Sequence, residues 1–242
     1  MPSHCAGRYL ARLAQSDQDM QAVLALRSQC FRAGGDDHDA LDTACDHVMV
    51  IRQADGQLVC TFRMLPLSDG REIGRSYAAL HYELNGLQTY PGKMVELGRF
   101  CSAPDVTDPD ILRMAWGRLT RYVDDNCIEL LFGCSSFHGT QADAYLDTFA
   151  MLHDRHMAPK RWRPRVKAPR VFRFAELIRG TLDRKSAMRA MPPMLKTYLG
   201  MGGWVSDHAV VDHDLNTLHV FTGVEIAAIP PARAKALRAV AM

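Results

Sequence analysis

The sequence predicts a mixed α/β fold in which helices cover a sheet whose first strands are joined by hairpins. Three observations lead there. Two apolar runs, residues 47–53 and 58–65, are joined by Ala54-Asp55-Gly56, and Asp-Gly between apolar runs signals a hairpin. From residue 94 to residue 155 the apolar periodicity then alternates strand, helix, strand, helix, which implies crossover connections and a sheet with helices on its faces. Finally, 242 residues with 48% hydrophobic and 23% charged side chains are enough to bury a sizeable core.

Residues 9–14 alternate weakly and predict a first strand. Asp17 is the expected N-cap of a helix that carries Met20, Val23, Leu24 and Leu26 on one face and runs to about Arg32. Gly34, Gly35 and the acidic residues 36–46 form a polar loop, long for a compact domain and therefore a functional candidate. After the hairpin, residues 76–87 read as a helical insertion. A central strand around Met94-Val95-Glu96-Leu97-Gly98-Arg99-Phe100-Cys101 follows, then a helix over 109–125, a strand over 128–135 and a helix over about 140–155. Pro164 and Pro169 break regular structure in residues 160–173. Beyond them the sequence predicts a helix near 192–199, strands at 204–211 and 217–221, and a last helix after Pro230-Pro231. The expected organisation is a core over 1–157 and a C-terminal extension over 158–242 packed on it, with 158–173 as a basic connector.

The central strand carries the most informative chemistry. A strand that buries Val95, Leu97 and Phe100 gains nothing from Glu96 and Arg99 unless they are paired or line a pocket. Two readings compete: a closed structural Glu–Arg pair, or a base and an anion clamp facing a shared cleft.

Other signatures are missing. Gly133-Cys134-Ser135-Ser136-Phe137 lacks the second glycine of a nucleophile elbow. Neither a phosphate-binding loop nor a dinucleotide fingerprint is present. His153 and His156 lack a third nearby ligand, so no metal is expected. The formal net charge of +2 does not point to nucleic acid. Seven cysteines without a Cys-x-x-Cys pair read as reduced packing residues, and no apolar run approaches the roughly 20 residues of a membrane span. The expected location is cytoplasmic, with at most a peripheral contact with the inner membrane.

The β-β-β-α-β-α order around one apolar strand resembles the GNAT N-acyltransferase superfamily. In its acetyl-CoA-dependent members, the resemblance implies, the loop after the central strand presents backbone amides to the CoA pyrophosphate. Here that loop reads Ala103-Pro104-Asp105-Val106-Thr107-Asp108-Pro109-Asp110, with no glycine and three aspartates, which repel a pyrophosphate. Free CoA is therefore not the expected donor. Arg27, Phe31, Asp42, Asp46, Arg63 and Glu96-Leu97-Gly98-Arg99-Phe100 resemble the pattern of acyl-homoserine-lactone autoinducer synthases. A longer match resembles the N-acyltransferase of ornithine lipid synthesis. It runs through Cys45-Asp46-His47, Thr61-Phe62-Arg63-Met64, Val95 to Cys101, Leu131 to Phe137, Ala158-Pro159-Lys160-Arg161, Pro192 to Tyr198 and Asp212-His213-Asp214-Leu215-Asn216-Thr217.

That resemblance implies transfer of a 3-hydroxyacyl chain from acyl carrier protein to the α-amine of ornithine. No cofactor is expected beyond the carrier's phosphopantetheine. The alternatives are acylation of another amino acid such as glutamine, acyl-homoserine-lactone synthesis, or a non-catalytic module that docks a carrier protein or membrane. An ammonium must lose a proton before it attacks a thioester, so Glu96 is the candidate base, directly or through water. Arg99 is grouped with it, backbone amides near Gly98 to Phe100 are candidate oxyanion donors, and Tyr145 is the candidate acid. Asp42 and Asp46, opposite Arg63 or Arg99, offer charges complementary to ornithine. Arg27, Phe31, Ser135 and Ser136 complete the expected substrate site. Lys160, Arg161, Arg163, Arg165 and Lys167, extended by Arg170 and Arg173, form a run without an acidic residue that suits an acidic carrier protein or anionic lipid.

Overall fold

The computed structural model describes residues 4–177 and 182–241. The elements run β1 (His4–Ala6), β2 (Tyr9–Leu13), α1 (Asp17–Phe31), β3 (Asp46–Arg52), β4 (Leu58–Leu67), α2 (Ala78–His81), β5 (Tyr82–Glu83), β6 (Met94–Ser102) and α3 (Pro109–Asn126). They continue with β7 (Leu130–His138), α4 (Leu146–Arg155), β8 (Arg165–Val166), β9 (Val171–Arg173), α5 (Phe174–Leu177), α6 (Arg184–Ala190) and α7 (Pro193–Gly200). The last four are β10 (Trp204–Val205), β11 (His208–Asp212), β12 (Thr217–Glu225) and α8 (Pro231–Ala241). Contacts divide the chain into two units, Met1–Pro66 with Leu97–Ile128 and Pro230–Met242, and Leu67–Glu96 with Glu129–Ile229.

In the first unit β1, β2, β3 and β4 are antiparallel neighbours, and residues 97–102 of β6 lie next to β4. The β3–β4 turn has Gly56 at φ +73°, the left-handed backbone that the Asp-Gly pair anticipates. Helix α1 starts one residue earlier than expected in its cap: the Ser16 hydroxyl, not Asp17, accepts from the Asp19 amide. Asp108 caps α3, Pro109 follows in the first turn, and Cys127 ends the helix in the left-handed region. Helix α8 belongs to this unit too, where Arg238 pairs with Asp124 of α3 at 2.9 Å.

In the second unit β12 pairs with β7 along nine residues, from Thr217↔His138 to Glu225↔Leu130, and β11 and β9 follow in antiparallel order. Its core gathers Phe137, Phe149, Phe174, Leu195, Val205 and Leu218. The division thus differs from the boundary expected at 157/158. Within residues 158–229, β9, β11 and β12 extend the sheet, and β12 supplies the hydrogen-bond partners along one side of β7.

Two local expectations are corrected. Residues 76–87 are not one helix: after a 3₁₀ turn at Gly70–Arg75, the four-residue α2, β5 and the start of a second 3₁₀ turn at Asn85–Thr89 share the segment. The proline-broken run 160–173 holds two short strands, β8 on β5 and β9 on β11.

Candidate active site

Strand β6 buries Met94, Val95, Glu96 and Leu97 in succession, so the Glu96 carboxylate enters a core at 4% exposure. Burying it requires donors, and they come from the start of α2. Tyr77 N–H donates to Oε2 and Ala78 N–H to Oε1, both at 2.7 Å. Two amide donors on one carboxylate suit its ionised form. They also explain why α2 begins where it does, although its own sequence is a weak helix start.

Tyr77 links Glu96 to a second polar group, since its hydroxyl donates to Asp212 Oδ2 at 3.1 Å. Around Asp212 stand His81 and His219, whose rings meet edge to face at 4.9 Å. Burial, with His81 beside it, pushes the His219 imidazole down to about 3 against the opposing pull of Asp212. Burial and Lys167 also lower His81, against the same pull. On β7, burial reinforced by Glu96 and Asp212 raises the Cys134 thiol well above its ordinary value. This group of Glu96, Tyr77, His81, Cys134, Asp212 and His219 belongs to the second unit.

The first unit holds a different charged cluster. Arg27, 1% exposed, donates to Asp37 Oδ2 at 2.8 Å and to Asp42 Oδ1 at 2.7 Å. Arg63 reaches Asp39 at 2.6 Å and Asp42 at 2.7 Å, Arg99 reaches Asp37 at 3.0 Å and Asp39 at 3.3 Å, and Arg32 reaches Asp37 at 3.1 Å. Burial alone would raise Asp42, but hydrogen bonds from Arg27, the Asp39 amide and Arg63 outweigh it and hold the carboxyl at about 2. Arg99 has φ +53°, so β6 leaves the extended conformation there and its neighbouring amides are re-aimed. The Arg99 guanidinium also lies 5.8 Å from the Phe31 ring.

At the start of α3, Asp108 accepts from the Asp110 amide at 3.0 Å and from Tyr9 Oη at 2.9 Å, while Arg8 pairs with both aspartates. The helix N-terminus is thus filled by the chain's own carboxylates. Beside it lies a cavity of about 310 Å³ lined by Ser102, Val106, Thr107, Ile111 and Leu112 among others.

Comparison with known proteins decides the family. Residues 22–117 match the acetyltransferase (GNAT) domain family. Over 230 residues, 88% of this chain and 88% of the other, the sequence is 36% identical to a Rhodobacter capsulatus protein named L-ornithine N(alpha)-acyltransferase. The chain belongs to the L-ornithine N(alpha)-acyltransferase family. It is an acyltransferase. Two solved structures share its fold. One is a CoA-dependent acyl-homoserine lactone synthase, MesI (TM-score 0.52, 11% identity, covering 96% of this chain and 94% of that one). The other is FeeM, an N-acyl amino acid synthase from uncultured soil microbes (TM-score 0.51, 12% identity, 91% and 92%). The mixed α/β acyltransferase fold is the one expected.

Placed in this acyltransferase, the expected site residues separate. Glu96 accepts from the amides that open α2, and Arg99 reaches the aspartates of the acidic loop. Arg27, Asp42 and Arg63 come together as expected, but Asp42 has Oδ1 on two arginines and Oδ2 on the Asp39 amide. With its side chain 3% exposed, Asp42 is closed to a free ammonium. Asp37 and Asp39, which sequence reasoning did not single out, complete the cluster, and their only signal was membership of the acidic loop. Asp46 lies outside it and accepts from Tyr122 Oη at 2.9 Å.

Tyr145 of the acyltransferase packs on Phe137 and Phe149, and its hydroxyl donates to the His138 carbonyl at 2.7 Å. Ser135 is buried and accepts from Thr222 Oγ1, whereas Ser136 is exposed opposite His219. Along the basic run Arg163 donates to the Ala158 carbonyl and Lys167 to the Ala79 carbonyl, while Lys160, Arg161 and Arg165 are exposed. No helix among the described residues is long and apolar enough to cross a membrane. His81 and His219 escaped sequence reasoning because 138 residues separate them; Asp212 was visible only inside a family segment.

Proposed function

We propose that this acyltransferase moves a 3-hydroxyacyl chain from the phosphopantetheine thioester of acyl carrier protein to the α-amine of ornithine, giving lyso-ornithine lipid. The 36% identity across 88% of both chains to a protein named L-ornithine N(alpha)-acyltransferase carries this reading. Glu96, whose carboxylate accepts from two amides, is the proton acceptor for the incoming ammonium, directly or through water. The freed amine attacks the thioester carbonyl, the C–N bond forms, the C–S bond breaks, and the carrier's thiolate leaves to take up a proton.

For the donor, the capped N-terminus of α3 argues against free CoA, since Asp108 and Asp110 occupy the place a pyrophosphate needs. The exposed Lys160, Arg161 and Arg165 suit an acidic carrier protein.

Incubation of the purified protein with one 3-hydroxyacyl chain, presented on acyl carrier protein or on CoA, tests both halves. Ornithine and glutamine are offered as acceptors, and mass spectrometry reads the product. Lyso-ornithine lipid from the carrier-protein thioester, at least about tenfold faster than from the CoA thioester, is expected. Equal rates from both donors would overturn the donor assignment, and preference for glutamine would overturn the acceptor.

A further inference from the structure

His81 ends α2, Asp212 ends β11 and His219 lies in β12, yet one ligand atom from each lies within 4.8 Å of the other two. The hydrogen bonds around them define the state of His219. Tyr82 has a single hydroxyl proton, and it donates that proton to the His219 carbonyl at 2.8 Å. Its oxygen, 3.1 Å from His219 Nδ1, therefore accepts, and Nδ1 carries the ring proton. Nε2 is left as a bare lone pair in a residue 1% exposed, and it has no hydrogen-bond partner. A buried acceptor without a donor needs a reason.

We propose that His81, Asp212 and His219 bind a divalent transition-metal ion, with zinc as the first candidate. Two imidazoles and a carboxylate form a nitrogen–oxygen donor set that such ions favour. The surrounding bonds are those that ligands of this kind carry. Tyr82 receives the far N–H of His219, and Asp212 is oriented by Tyr77 Oη on Oδ2 and by the Leu215 amide on Oδ1 at 3.0 Å.

An ion centred between atoms at the 4.8 Å limit sits about 2.8 Å from each, and a shift of about 0.7 Å per ligand brings it to bonding distance. His81 is half-buried, which leaves an approach from solvent. Lys167 opposes the ion near His81, and Asp212 offsets that charge. Bound there, the ion stiffens Tyr77, whose amide holds Glu96. The site stands independently of the acyl-transfer reading, because its evidence is the ligand geometry alone.

The test uses the full chain, reduced and stripped with chelator, and titrated with Zn²⁺ against a competing indicator and with Co²⁺ by absorbance. One ion per chain is expected, with visible cobalt bands and no near-ultraviolet thiolate band, because no cysteine is among the ligands. His81→Ala and His219→Asn should each weaken binding about tenfold or more. His81 is half-buried, so its variant decides the matter even where His219→Asn fails to fold. Absence of saturable one-to-one binding by the wild-type chain, a thiolate band, or affinity unchanged in His81→Ala would each overturn the proposal.

Discussion

The two units bury charge in opposite ways. In the first, Arg27, Arg32, Arg63 and Arg99 interleave with Asp37, Asp39 and Asp42, and Asp42 has both oxygens committed to protein donors. In the second, Glu96 accepts from two backbone amides, and His219 Nε2 has no hydrogen-bond partner. Charge that is matched by opposite charge fixes a loop and does little chemistry. A carboxylate held by neutral donors keeps its negative charge available, and an orphaned lone pair is an open valence. The difference teaches where reactivity belongs in this acyltransferase.

Replacing Glu96 with Gln gives the sharpest contrast. The amide keeps the shape but loses the proton acceptor, so acyl transfer should fall on the order of 10²–10⁴-fold. Its NH2 group faces one of the two backbone amides that Glu96 accepts from, so circular dichroism should show the fold kept while stability drops by about 1–3 kcal/mol, the cost of one unsatisfied buried N–H. A folded variant with unchanged turnover would remove Glu96 from the chemistry. In the first unit the same logic predicts a larger loss of stability. Arg27→Met leaves Asp37 and Asp42 short of a buried cation, at a cost of about 3–5 kcal/mol in urea denaturation. A loss below about 1 kcal/mol would mean that the remaining arginines close the cluster without it.

Acid should separate the units. His219 titrates at about 3 in the fold against 6.5 as a free side chain, so its contribution is complete above pH 6.5 and is lost as the pH falls toward 3. His81 is shifted in the same direction. Asp42 titrates at about 2 against 3.8, so its contribution is complete above pH 4 and is lost between there and pH 2. Metal-free protein should therefore lose on the order of 3 kcal/mol between pH 6.5 and 4 through His219, before Asp42 loses its roughly 2 kcal/mol. Hydrogen exchange should show amides of β12 losing protection at a higher pH than those of β3. His219→Asn should flatten the first phase, and an identical slope in that variant would refute the assignment.

The smallest effect is expected on the basic surface. Replacing Lys160, Arg161 and Arg165 with Ala should raise the Michaelis constant for acyl carrier protein about three- to tenfold at low salt and leave that for ornithine nearly fixed. Added salt should erase the difference, because attraction between exposed charges is screened over about 8–10 Å. A salt-independent change would point to lost packing around Trp162, on whose ring Arg161 lies at 4.7 Å. Unchanged carrier kinetics with weaker binding to anionic vesicles would reassign the surface to lipid.

What could be read along the chain was whatever is decided within a few residues. The hairpin at Asp55-Gly56 was legible because φ is positive at Gly56, and α3 because Asp108-Pro109 is both cap and first turn. The central strand was legible because a carboxylate inside an apolar run has to be paid for by partners, which marked Glu96 before any partner was known. Residues 76–87 misled for the converse reason: the amides of Tyr77 and Ala78 are claimed by Glu96 of β6, so the start of α2 is set from outside its own sequence. Likewise the acidic loop announced itself as charged, but nothing in its spacing distinguished the committed Asp42 from the more open Asp39.

The sequence by itself determined the α/β order of elements, the buried carboxylate at Glu96 and the acidic start of α3, because periodicity, turn chemistry and capping act over one to four residues. Only the tertiary structure decided which charges neutralise one another, that residues 158–229 complete a sheet, and that His81, Asp212 and His219 meet. Those outcomes depend on pairing between segments up to 138 residues apart, and the energy of a buried charge is set by the groups that surround it in space.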